Sequence, residues 1–234
     1  MSVDLLVFGP HPDDIEIGIG GTVARHAAEG VRVGLCDLTE GEMGSNGTVE
    51  ERRREADAAR EVLGAVWREN LRLPDRRIGK DPGHHHIVVE CIRRHRPKVI
   101  AAPYWIDRHP DHGAASALVS EAAFSAGLRK YEAAGEPWRA DWLCYYFIND
   151  GDPPSFLVDV TDFYEVKRKA LAAYTSQFRS GPNAVSTRLN TPAFTQLIES
   201  RDAQFGALAG VRWAEGFVVR EPVVRASLLK GSQA

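Results

Sequence analysis

The chain has 234 residues, 44% of them hydrophobic and 26% charged, with a formal net charge of −3. That composition fits one sizeable globular unit, expected to span 1–234. No block of one sign marks a nucleic-acid footprint or a basic membrane patch. No apolar run approaches the ~20 residues needed to cross a bilayer.

Met1-Ser2-Val3-Asp4 carries neither a basic region nor an apolar signal core, so a cytoplasmic protein is expected. Residues 5–8, Leu5-Leu6-Val7-Phe8, read as a short buried strand. Gly9-Pro10-His11-Pro12-Asp13-Asp14-Ile15-Glu16 follows at once. A helix is predicted over 18–29, closed by Gly30, and a strand over 31–38. A polar loop over 39–47 leads to a helix from Thr48 to about Leu63, with Glu51 placed to complete a capping box. A strand over 66–71, a loop over 74–83 and a helix over 84–95 come next. His84-His85-His86 diverge around that helix start and cannot face one ion together. A strand over 99–102 runs into Asp107-Arg108-His109-Pro110-Asp111-His112. Helices are predicted over 114–131, 162–174 and 194–208, strands over 143–147, 156–158 and 216–219, and a loop over 180–192. Cys36, Cys91 and Cys144 are far apart in sequence, which suits buried thiols rather than a disulfide frame or a cysteine metal site.

Alternating strands and helices predict an α/β fold, a Rossmann-like, mostly parallel sheet with helices on both faces. In such sheets ligands bind beyond the carboxyl ends of the strands. Both His-Pro-Asp clusters fall at such ends.

Carboxylates and imidazoles at a buried strand end need a cation, a solvent-filled cleft, or both. A catalytic zinc takes three protein ligands from imidazole and carboxylate and keeps a position open. His11 and Asp14 share a turn stiffened by Pro10 and Pro12, and His112 is the candidate third ligand. Asp13 is left free beside the metal as a general base. His109 is placed to stabilise an oxyanion or assist a leaving amine, with Asp111 as the carboxylate that orients it. The chemistry expected is metal-assisted hydrolysis of an amide.

His11-Pro12-Asp13-Asp14 with Glu16 and Gly18, and His109-Pro110-Asp111-His112 later, resemble the LmbE-like (PIG-L) family of zinc-dependent N-acetylglucosaminide deacetylases. The segments from Gly41 to Thr48, Asn70 to Arg76 and Arg108 to Gly113 are similar to the branch that deacetylates N-acetylglucosaminyl-malate in bacillithiol biosynthesis. The resemblance implies an LmbE-like fold and one Zn2+ per chain on His11, Asp14 and His112. It implies Asp13 as base, His109 as oxyanion or acid partner, and sugar contacts from Glu42, Arg52 and Asp75. It also implies a small amino-sugar substrate and a homo-oligomer, hexamers recurring among relatives. A malate aglycone wants a basic partner, which Arg52, Arg53 or Arg108 can supply. Some relatives carry a mobile Tyr just before the second cluster; Asp107-Arg108 stand there in this chain, with Tyr104 slightly earlier. Free N-acetylglucosamine and chitobiose are the alternative substrates.

A Rossmann-type nucleotide binder is the competing class, on Gly18-Ile19-Gly20-Gly21 and on Asp37 near the end of the second strand. The glycines come too late for it. Asp13, Asp14 and Glu16 occupy the turn where a pyrophosphate would sit, and would repel it. Close helix–sheet packing explains the glycines without a nucleotide. A non-catalytic scaffold or transport module is the third reading, separated from the enzyme by metal content and amidase activity.

Overall fold

The computed structural model describes residues 2–179, 181 and 184–224. Seven strands form one sheet in the order β3-β2-β1-β4-β5-β7-β6. They are β1 Leu5–Gly9, β2 Val33–Asp37, β3 Trp67–Asn70, β4 Val99–Pro103, β5 Trp142–Tyr146, β6 Phe156–Asp159 and β7 Ala214–Val218. β1 to β5 pair in parallel, while β7 runs antiparallel between β5 and β6. The helices are α1 Asp14–Ala28, α2 Val49–Leu63, α3 Pro82–His95, α4 Pro110–Ala126, α5 Tyr164–Ala173, α6 Thr175–Phe178 and α7 Pro192–Ala209. Among the described residues, no helix is long and apolar enough to cross a membrane.

The strands alternate their side chains between two cores, as a sheet covered on both faces requires. Leu6 and Phe8 of β1 join the core under α3 and α4. Leu5 and Val7 join the one under α1, α2 and α5. The order reverses between β1 and β4, where Leu5 pairs with Val99 and Val7 with Ala101. That reversal is the crevice at which open α/β sheets bind ligands. It places the two His-Pro-Asp clusters side by side.

Local signals place most boundaries. Thr48 and Glu51 form the expected capping box, and Gly64 ends α2 with φ 77°. The helices at the two clusters begin earlier than periodicity predicts, at Asp14 instead of 18 and at Pro110 instead of 114. Pro110 fits the first turn of a helix, and His109 caps it by accepting the Asp111 N–H. Asp14 and His112 therefore sit on helical first turns, not in loops. The helix expected over 162–174 is a short 3-10 turn, Thr161–Phe163, followed by α5. The helix expected to reach 131 stops at Ala126. Of the predicted loop 180–192, residues 180, 182 and 183 lie outside the described residues.

The glycines of α1 serve close packing. A Cβ at Gly18 would stand 2.3 Å from Tyr146 Cδ2, and one at Gly21 would stand 2.8 Å from Val160 Cβ. Tyr146 cannot swing aside easily, because it is fully buried and its hydroxyl donates to Phe8 O at 2.7 Å. Gly18→Ala should gain roughly 1 kcal/mol of helix propensity and lose more to overpacking, for a net loss of about 1–2 kcal/mol. Urea unfolding checks this, and an unchanged or raised midpoint would refute it.

Candidate active site

The first cluster is a pinned turn. Thr39 N–H and its hydroxyl both donate to Pro10 O, at 3.1 and 2.9 Å. Asp13 follows with φ 113°, a left-handed conformation that a non-glycine residue holds only at a cost. That torsion separates two adjacent carboxylates. Asp13 turns to Arg52, whose Nη2 donates to its Oδ2 at 3.1 Å. Asp14 turns to the imidazoles.

Asp14 Oδ2 is the shared point. The His11 N–H donates to it at 3.0 Å, and His11 Nδ1 lies 3.0 Å away. His112 Nε2 lies 3.4 Å from the same oxygen. Each ring is held from behind by carboxylate. His11 Nε2 stands 3.2 Å from Asp75 Oδ1 and 3.4 Å from Asp111 Oδ2. His112 Nδ1 stands 3.0 Å from Asp107 Oδ1. A carboxylate behind a ligating imidazole fixes its tautomer and orientation. His11 Nδ1, Asp14 Oδ2 and His112 Nε2 are thus the atoms left to face one point.

These donors fit a divalent cation. Ligands at 2.0–2.1 Å around a tetrahedral ion stand roughly 3.3 Å apart, and the two contacts to Asp14 Oδ2 are 3.0 and 3.4 Å. The electrostatics agree. Burial disfavours a proton on His112, but Asp14 and Asp107 outweigh it and push the group up to about 9. His11 is likewise held well above its usual range by Asp111, Asp14 and Asp75 despite its burial. Burial would raise Asp14, yet His112 and His11 hold it well below the carboxylate range. The site attracts positive charge. His109 brings a nitrogen within 4.8 Å of those of His11 and His112, so it borders the same point.

Asp13 and His109 stand apart from this set. Burial pushes Asp13 up to about 7, with Arg52 opposing and Asp14 reinforcing the shift. Burial and the neighbouring His112 and His11 lower His109 below its usual range. Its Nδ1 accepts the Asp111 N–H at 3.3 Å, which leaves the ring proton on Nε2. His109 is therefore a neutral donor stacked on His112, ring centroids 4.7 Å apart.

The other expected site residues make further contacts of their own. Asp111 does not orient His109 through its carboxylate. That carboxylate faces His11 and accepts Arg76 N–H and Nη1–H, both at 2.9 Å. Asp75, expected on the sugar, is behind His11 and takes the Met43 N–H at 3.1 Å. Glu42 accepts the Asp75 N–H at 2.7 Å and so braces that loop. Arg52 is 6% exposed and donates also to Pro12 O and Gly41 O, so it secures the turn and Asp13. Arg52, Asp75 and Arg108 all line the cleft of ≈ 250 Å³, as expected substrate contacts would, together with Arg76 and Asn149, which no signal in the sequence singles out. Tyr104 donates to Asp152 at 2.7 Å and is 7% exposed. The signal for Asp107 was present as a carboxylate within the second cluster, but only the fold shows which imidazole it meets.

Other polar clusters among the described residues differ in their donors. A larger cavity of ≈ 400 Å³, lined by Arg53, Arg54, Arg68 and Asp37, contains no imidazole. Asp37 cannot serve a ribose, because each of its oxygens takes an Arg68 N–H at 2.7 Å. Cys36 and Cys91 are free and buried as expected, yet their sulfurs lie 3.9 Å apart, with Glu69 beside them. Burial holds the Cys36 thiol well above its usual range.

Residues 6–123 match the PIG-L family, described as GlcNAc-PI de-N-acetylase. The chain belongs to that family. It is 30% identical over 227 residues to a diacetylchitobiose deacetylase of Thermococcus kodakarensis, covering 91% of this chain and 81% of that protein. It is 27% identical over 191 residues to a probable N-acetyl-α-D-glucosaminyl L-malate deacetylase 2 of Bacillus anthracis, covering 74% and 80%. Among solved structures it is similar to the conserved protein TT1542 from Thermus thermophilus, with TM-score 0.89 and 42% identity over 99% of this chain and 100% of that one.

In this PIG-L protein Asp107 should matter as much as a ligand does. Asp107→Ala frees His112 Nδ1 and should weaken metal binding about 10–100-fold. Competition against a chelator of known affinity measures it, and native affinity in that variant would show that His112 needs no partner at Nδ1.

Proposed function

We propose that the chain hydrolyses the acetamide of an N-acetylglucosaminide, with N-acetylglucosaminyl-malate as the substrate and glucosaminyl-malate and acetate as the products. The observation that carries this reading is a division of labour between neighbours. Asp14 is committed to two imidazoles, while Asp13, held up near 7 by burial, stands beside them outside the donor set.

His11, Asp14 and His112 would hold the divalent cation, zinc by the chemistry of the donors. When bound, such an ion polarises a carbonyl and makes water a nucleophile at neutral pH. Asp13 then acts as the base that takes the water's proton. A cation close by favours its ionised form, so it remains a base at neutral pH. His109 offers its Nε2–H to the oxygen of the acetamide as negative charge develops there. The amine leaves with the proton that Asp13 took from the water. Arg52 keeps Asp13 aimed at the cleft through the 3.1 Å contact.

Arg108 favours malate over a second sugar as the aglycone. Its side chain lines the cleft and is exposed, and a carboxylate is the partner a guanidinium recognises best. A neutral chitobiose-like substrate gives it nothing to neutralise. This reading also carries a cytoplasmic setting, one zinc per chain and self-assembly, hexameric in form.

Free-amine release from N-acetylglucosaminyl-malate, N-acetylglucosamine and N,N′-diacetylchitobiose, with and without chelator, tests the proposal. Chelator should abolish turnover of the malate compound, which should be the best substrate. Equal rates on all three, insensitive to chelator, would overturn it. Asp13→Asn should keep its metal and lose roughly 10²–10⁴-fold in kcat. Near-native turnover in that variant would remove Asp13 as the base.

A further inference from the structure

Helix α1 is broken close to the site. Ile19 takes φ −137° and ψ 28° in the middle of Asp14–Ala28. A break frees N–H and C=O groups, and buried ones must find other partners. Two side chains from the far end of the chain supply them. Arg201 Nη2 of α7 donates to Ile17 O at 2.7 Å. The Glu215 carboxylate of β7 accepts Gly21 N–H at 2.9 Å and Thr22 N–H at 2.6 Å. A cation thus closes the first segment and an anion opens the second, the signs that helix ends favour.

The two caps are wired together. Arg201 Nε donates to Asp202 Oδ1 at 3.0 Å. Lys167 Nζ donates to Asp202 Oδ2 and to Glu215 Oε1, both at 2.7 Å. Lys167, Asp202 and Glu215 are 0% exposed. Two cations and two anions balance, but four charges, three of them fully buried, are a poor device for stability alone, since apolar residues of similar volume serve as well or better. What sets this network apart is that it grips main chain on both sides of the break. The segment it detaches carries Asp14. Ile17 N–H donates to Asp13 O at 3.0 Å, so Arg201 reaches the Asp13–Asp14 turn through a single residue.

We propose that Arg201, Asp202, Lys167 and Glu215 form a positioning device that sets the angle of the α1 break and so aims Asp14 between His11 and His112. The proposal rests on the reading of His11, Asp14 and His112 as metal ligands. None of the four touches the metal point or the substrate. They act through the backbone of Ile17, Gly21 and Thr22.

The test uses the zinc-loaded full chain and the variants Arg201→Met and Glu215→Gln. Zinc affinity is measured by chelator competition, kcat and KM on N-acetylglucosaminyl-malate, and stability by urea unfolding. Zinc affinity should fall about tenfold or more in the folded variants, as for other residues that orient ligands, and kcat should fall with KM unchanged. A lower urea midpoint with native zinc affinity and native kcat would make the network merely structural and overturn the proposal. If Arg201→Met does not fold, Arg201→Lys, which keeps the charge and loses the fork, carries the same comparison. His112→Ala, run in parallel, separates the two levels. If it keeps native zinc affinity, the ligand reading itself fails. If it loses zinc while the network variants do not, only the positioning proposal fails.

Discussion

A single carboxylate oxygen, Asp14 Oδ2, is 3.0 Å from His11 Nδ1 and 3.4 Å from His112 Nε2, on segments that the pairing of β1 with β4 brings together. Asp14 and His112 are 4% and 3% exposed, so neither can leave for water. Unpaired charges at such depth would cost several kcal/mol each. Every neighbouring group answers that constraint. Asp75 and Asp111 hold His11 from behind, Asp107 holds His112, and Arg52 and Arg76 neutralise Asp13 and Asp111. The result is a polar pocket with its donors oriented in advance, which is what a metal centre requires of its protein.

The first turn of α1 is anchored in a second way. Glu16, fully buried two residues beyond Asp14, takes Arg68 Nη1–H at 2.6 Å, and Arg68 forks onto Asp37 with two bonds of 2.7 Å. Tyr174 adds its hydroxyl to Glu16 at 3.3 Å. The acid at the end of β2, which in a nucleotide-binding sheet would take a ribose, is here part of the scaffold under a hydrolytic site. The same fold position serves a different end because its oxygens are already occupied.

Much of the architecture was legible from local signals. Alternation of apolar residues located the strands, Thr48 and Glu51 opened α2, and Gly64 closed it. The two His-Pro-Asp clusters were recognisable because charged residues straight after an apolar run have no core to join. The helix starts at Asp14 and Pro110 were not legible. Periodicity weighs apolar residues, and the first turns of α1 and α4 carry polar ones instead. The partners of Asp75, Asp107 and Asp111 were also hidden. An aspartate does not state in sequence which imidazole it will face, and Asp111, two residues from His109, turns instead to His11.

By itself the sequence determined the alternating α/β order, the two chemically loaded strand ends, and the division of His11, Asp13 and Asp14 into ligand and base candidates. Spacing within one turn decides those, and short-range geometry is written in neighbouring residues. Only the tertiary structure decided that β1 and β4 lie side by side, which carboxylate stands behind which ring, and that Arg201 and Glu215 reach the α1 break from the far end of the chain. Those contacts join residues far apart in sequence. They exist only once the sheet order reverses between β1 and β4 and the buried charges have found one another.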